Sequence, residues 1–204
     1  RNTLRSTRPC PPGATVPFGS VHPFDRDAEE RLDRQVAAGA RGIKLHPNGQ
    51  FISPDHPRTV HLCGRCGARG LPVLFHCGPV GIEPKAAARR SQVERYERTI
   101  SENPGTTFVL GHSGALQYDQ AIRFADRYPN TYFELSCLGL AALRQVIDAV
   151  PADRLLYGTD WPFYHQALTL ARVLIATEGD PSLRRAILHD NAVGLLGSSE
   201  VTAG

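Results

Sequence analysis

The feature that most constrains this chain is a repeated ending. Six short apolar runs stop at His22, His46, His76, His112, Ser136 and Asp160, residues able to do chemistry, and these endings recur every 24 to 36 residues. Between them lie stretches of helical periodicity. One strand and one helix per interval is the pattern of a parallel α/β sheet, whose strands are covered on both faces and read as near-continuous apolar runs. No repetition of sequence accompanies the spacing. Parallel strands place all their carboxyl ends on one side, so these six side chains converge if the sheet curls or closes.

The predicted elements follow from that pattern. Val16–Val21 reads as a first strand, and Asp25 precedes a helix from about Arg26 to Ala38 that Gly39 ends. Gly42–Pro47 is the next strand, Ser53-Pro54 opens a helix, and Gly70-Leu71-Pro72 closes it. Val73–Gly78 is a strand, 79–84 a Gly/Pro loop, and Lys85 to about Glu102 one long helix stopped at Asn103-Pro104-Gly105. Thr106–Gly114 and Thr131–Cys137 are strands separated by a helix over Tyr118–Tyr128. A helix over Leu140–Val150 leads to the last strand, Arg154–Phe163, and two closing helices span His165–Thr177 and Ser182–Leu196. Residues 1–15, rich in Arg and Pro, read as an arm, 16–197 as one domain and 198–204 as a tail.

Composition excludes several roles. A chain of 204 residues is long enough for one sizeable core and short for two. The formal charge of +3 is small and its arginines are mixed with acids, so no nucleic-acid stripe is expected. No run of 18 apolar residues is present, which excludes a spanning helix by the usual length criterion, and the start carries no signal-peptide pattern. Five cysteines suit a reducing cytoplasm better than a disulfide scaffold. Cys63-Gly64-Arg65-Cys66 is a lone pair expected on a helix between Pro57 and Ala68, without the second pair of a zinc site. The sequence contains no Met, so Arg1 is not expected to be the encoded start.

Four histidines and an aspartate on one rim are hard to explain by packing. Neutral imidazoles with a carboxylate are the ligand set of borderline metals such as zinc. Taken singly, each has a plainer role: a strand-end His is often only hydrogen-bonded, and Asp160 could cap the following helix. Period-two alternation puts Lys44 with His46, Leu74 with His76, Leu110 with His112 and Gly158 with Asp160. A partly buried Lys44 needs a partner such as Glu134 or a depressed pKa. Trp161, Phe163, Tyr164 and His165 read either as a pocket wall or as a packed aromatic turn.

The segments "GIKLHP", "LPVLFHCG", "FVLGHSG" and "LLYGTDWPF", in this order and spacing, resemble the amidohydrolase superfamily in its amidohydrolase-related branch. That branch includes aminocarboxymuconate semialdehyde decarboxylase and resorcylate-type decarboxylases. The resemblance covers roughly residues 16–197 and implies a (β/α)8 TIM-barrel-like fold with a metal centre at the carboxyl ends of the strands. It implies His76, His112, Asp160 and Lys44 as metal ligands and Asp160 with His112 as catalytic residues. His46, Trp161, Phe163 and His165 are the candidate contacts to a small-molecule substrate. The implied cofactor is a divalent metal, zinc first and manganese second. The implied reaction is metal-dependent hydrolysis of a C–N or C–O carbonyl bond. Alternatives are non-oxidative decarboxylation, a metal-free lactonase, or a non-catalytic remnant of the barrel. The branch's strand-one His-x-His pair is absent from this sequence, which predicts a barrel truncated at its N-terminal side, with strands three to eight present. An edge left open by that truncation would need a partner, for which a homo-oligomer is one solution.

Overall fold

In the computed structural model, which describes residues 15–197, the chain alternates strand and helix around one open parallel sheet. In chain order the first elements are α1 (Ala28–Ala37), β1 (Ile43–Leu45), α2 (Pro47–Gln50), α3 (Pro57–Gly67) and β2 (Val73–His76). Next come α4 (Lys85–Ala88), α5 (Glu97–Glu102), β3 (Phe108–Gly111), α6 (Tyr118–Arg127) and β4 (Thr131–Glu134). The chain closes with α7 (Leu140–Ala149), β5 (Leu155–Leu156), α8 (Gln166–Ala176), α9 (Pro181–Arg185) and α10 (Asn191–Leu196). The five strands pair in sequence order and all in parallel, so the fold is an unclosed segment of a (β/α) barrel. Most of the predicted arm over 1–15 and the predicted tail lie outside the described residues.

Register divides the sheet into two chemically different faces. Leu45, Phe75, Leu110, Phe133 and Leu155 form one row across all five strands, and each is fully buried. This row meets Leu32, Leu62, Ile100, Phe124, Leu143 and Val173 from the covering helices in a single core. The adjoining row on the opposite face is Lys44, Leu74, Val109 and Tyr132, and alternation carries that face on to His76 and Glu134. Among the described residues no helix is long and apolar enough to cross a membrane.

Several predicted boundaries change, each for a local reason. The expected strand over Val16–Val21 is reduced to one bridge, Gly19 with Ile43: Pro17 has no N–H to extend the ladder before it, and beyond it the Val21 carbonyl accepts from the Gln50 side chain. The helix that begins at Ser53-Pro54 in the sequence pattern begins instead at Pro57, where the His56 side chain accepts from Arg58 N–H. The single helix expected over 85–102 is broken between α4 and α5 by extended backbone at Gln92. That break lets the Ser91 carbonyl accept from Gly78 N–H, and lets the buried Tyr96 hydroxyl donate to the His76 carbonyl at the end of β2. The last strand is only two residues long, because Tyr157 N–H turns away to the Ile187 carbonyl. The closing helix over 182–196 carries a π-helical stretch, Ala186–Asp190, in its middle.

Candidate active site

At the carboxyl ends of the strands, Glu134 organises a buried chain of hydrogen bonds. Its Oε2 accepts from the His112 backbone N–H at 2.9 Å and from the Ser136 hydroxyl at 2.8 Å, while Oε1 accepts from Ser136 N–H at 2.8 Å. Gly158 makes this possible, since a Cβ there would stand 1.7 Å from Glu134 Oε1. The Ser136 hydroxyl also meets His112 Nδ1 at 2.7 Å, and His112 Nε2 meets His76 Nδ1 at 3.0 Å. A carboxylate only accepts, so Ser136 spends its proton on Glu134 and must accept from His112 Nδ1–H. His112 Nε2 then holds a lone pair and accepts from His76 Nδ1–H. The consequence falls on His76 Nε2, a bare lone pair that is buried without a hydrogen-bond partner.

Backbone strain places these groups. His112, Cys137 and Asp160 follow β3, β4 and β5, and all three adopt left-handed conformations, with φ of 62°, 64° and 55°. Non-glycine residues enter that region rarely and at a cost of roughly 1–3 kcal/mol each. At His112 the turn corrects a simple expectation. Alternation would set His112 on the side of Leu110, but Leu110 sits in the helix-facing row whereas His112 bonds to His76 and Ser136 on the opposite face. The approach of the neighbouring loops also requires Gly78, with φ of 80°, because a Cβ there would overlap the Gly114 carbonyl.

Electrostatics keep the imidazoles neutral. Burial holds His76 down at about 2, reinforced by the proximity of His46, His112 and Lys44, each of which would repel a second positive charge. Burial also lowers His112 to about 4, against the opposing pull of Asp160. Both are therefore free bases, the form that binds metals. Lys44 is lowered from the usual lysine value by loss of hydration, which the fields of Glu134 and Asp160 oppose. The Glu134 carboxylate itself is spent on other donors, so Lys44 acts on it through space.

A cavity of about 330 Å³ opens over this network, lined by His46, His76, His112, Cys137 and Asp160. Val80, Ile82, Glu83, Phe163 and Tyr164 also line it. Glu83 accepts from the N–H groups of Val80 and Ile82 and so fixes the Gly/Pro loop as a wall. The His46 ring stacks on His76 with centroids 4.1 Å apart, and its Nδ1 accepts from Gly49 N–H, which leaves Nε2–H as its donor. The structure does not bring every predicted residue here. Trp161 is 63% exposed and does not line the cavity. His165 caps α8 by accepting from Ala167 N–H, and His22 is tied to the Gln50 carbonyl and to Phe24 N–H. Glu134 as organiser and Cys137 were not singled out from sequence. Glu134 could have been, because it sits two residues before the strand-end Ser136 and therefore on the same face.

The residues present fit a metal. One ligand atom each from His112, Cys137 and Asp160 lies within 4.8 Å of the others. His112 donates its second ring N–H towards a carboxylate through Ser136, the arrangement that fixes metal-ligating histidines in the right tautomer. The lone Cys63 and Cys66, by contrast, are buried in the apolar core on α3, where burial pushes both thiols up.

Comparison with known proteins agrees with this architecture. No curated protein matches the sequence. A TIM-barrel protein of uncharacterised function from Bordetella bronchiseptica is 25% identical with a TM-score of 0.74, over 89% of this chain and 66% of that one. The 2,6-dihydroxybenzoate decarboxylase from Rhizobium is 21% identical with a TM-score of 0.69, over 89% and 70% of the two chains. The 5-carboxyvanillate decarboxylase from Sphingomonas paucimobilis is 17% identical with a TM-score of 0.69, over 89% and 66%. The chain thus spans about two thirds of the length of these structures. The sequence also matches the Amidohydrolase family profile over residues 2–197, and the chain belongs to that family.

Proposed function

We propose that this chain carries the centre of a metal-dependent hydrolase acting on a C–N or C–O carbonyl bond of a small substrate. The observation that carries the reading is the buried, partnerless Nε2 of His76, a residue that lines the same cavity as His112 and Asp160. His76, His112 and Asp160 would hold a divalent ion, zinc before manganese. Such an ion, when bound, supplies Lewis acidity and brings the pKa of a water molecule toward ~7. Asp160 takes the proton of the attacking water and returns it to the leaving group. Its carboxylate is poised as an acceptor, since Oδ2 already receives the Cys137 thiol at 3.3 Å. His46 Nε2–H is the donor available to orient substrate, and Val80, Ile82 and Phe163 supply an apolar wall that limits water.

A second reading keeps the site and changes the reaction to non-oxidative decarboxylation. It is favoured by the similarity to two solved decarboxylases, from Rhizobium and Sphingomonas paucimobilis. Elemental analysis of the dialysed chain, beside a His76→Ala/Asp160→Ala double variant, tests what both readings share. Near-stoichiometric zinc or manganese, lost in the variant, is expected; no metal in either protein overturns both. Assays on esters, amides and aromatic carboxylates then separate them, since only decarboxylation releases carbon dioxide. Turnover of a lactone by metal-free protein would favour a lactonase instead.

A further inference from the structure

Cys137 is not among the three residues given above as holding the ion, yet it differs from the other described cysteines. Cys63, Cys66 and Cys77 are fully buried in the apolar core, whereas Cys137 lines the cavity and donates to Asp160 Oδ2. A small apolar filler has no need of that position. We propose that Cys137 is itself a ligand of the divalent ion, making a sulfur-containing site that takes zinc-like metals in preference to manganese or magnesium. The inference rests on the metal-dependent reading above.

Three observations support it. The Sγ–Oδ2 separation is 3.3 Å, close to the ~3.6 Å edge that zinc–sulfur and zinc–oxygen bonds of ordinary length give in a tetrahedron. The donor atoms of His112, Cys137 and Asp160 already lie within 4.8 Å of one another, so a contraction of about 1 Å closes them on an ion. The third is independent of the cysteine: His76, only 6% exposed, lines the same cavity and carries a buried Nε2 without a hydrogen-bond partner. With His112 Nδ1 committed to Ser136, Nε2 is its coordinating nitrogen, and an ion there takes the lone pair that now accepts from His76. Coordination by sulfur requires the thiolate, so the proton that Cys137 gives to Asp160 is released to solvent on binding. Thiolate ligands favour zinc and cobalt over manganese and magnesium.

The test is a titration of the metal-free chain with Co2+ alone, followed by absorption. Visible d–d bands report entry of the ion, and a near-ultraviolet thiolate-to-cobalt charge-transfer band reports sulfur. The wild-type chain is expected to show both, with cobalt displaced by zinc and not by manganese. Cys137→Ser and Cys137→Ala should lose the charge-transfer band and bind cobalt more weakly by more than the 10–100-fold typical of losing an outer-shell partner. d–d bands without charge transfer in the wild type, or a charge-transfer band that survives in both variants, would overturn the ligand assignment and leave the metal reading standing. No cobalt uptake by the wild type would overturn both.

Discussion

The two faces of one sheet, built on the same strands, obey different rules. The helix-facing face is a continuous apolar row from Leu45 to Leu155, every member fully buried and held by packing alone. The opposite face carries Lys44, His76 and Glu134, is partly open, and is held by hydrogen bonds that converge on one carboxylate. The first face tolerates no polarity and little loss of volume. The second depends on a single proton order running from His76 through His112 and Ser136 to Glu134. The lesson is that stability and chemistry are drawn from the same strands by alternation, residue by residue.

Substitutions that hit one face at a time sharpen this comparison. The largest effect is expected on the packed face: Phe133→Ala should cost about 3–5 kcal/mol in urea unfolding, because it leaves a cavity among fully buried neighbours. The metal content of the molecules that remain folded should not change. Glu134→Ala should cost less, about 2–4 kcal/mol, by orphaning the His112 N–H and both Ser136 donors. It should also weaken metal binding by about 10–100-fold. A cost no larger than the ~0.5 kcal/mol of an ordinary surface change would break the distinction between the faces.

Of the two faces, acid should act on the polar one, since the packed row carries no titratable group. His76 and His112 are lowered to about 2 and about 4 when folded and return to near 6.5 when unfolded. The unfolded chain therefore binds more protons below pH 6.5, and their contribution, fully present above that value, is lost as pH falls towards the folded values. Stability of metal-free protein should decline by about 1.4 kcal/mol per pH unit for each histidine titrating this way. A flat profile between pH 6.5 and 4 would show the imidazoles to be hydrated. The smallest effect is expected at the α8 cap: His165→Ala should lose about 0.5–1 kcal/mol and leave metal affinity unchanged. A fall in metal affinity would place His165 in the site after all.

Much of this was legible in advance. The strand-end rhythm gave the parallel sheet, because burial on both faces forces near-continuous apolar runs, and it pointed to His76, His112 and Asp160 at the rim. The broken helix between β2 and β3 was not legible. Its charged, periodic sequence is locally helical, and the break at Gln92 is imposed by distant partners, Gly78 N–H and the His76 carbonyl. Trp161 and Phe163 look alike in sequence, yet only Phe163 reaches the cavity rim.

What the sequence by itself determined is the order of elements, the apolar row and the gathering of polar side chains at one end of the sheet. These follow from local propensity and a period of two. Tertiary structure alone decided which way His112 faces, that Glu134 is the hub and not the ion-pair partner of Lys44, and that Cys137 stands beside Asp160. Those outcomes depend on left-handed turns at three strand ends and on the space left by Gly158, contacts made between residues more than twenty positions apart. A periodic pattern carries no record of them.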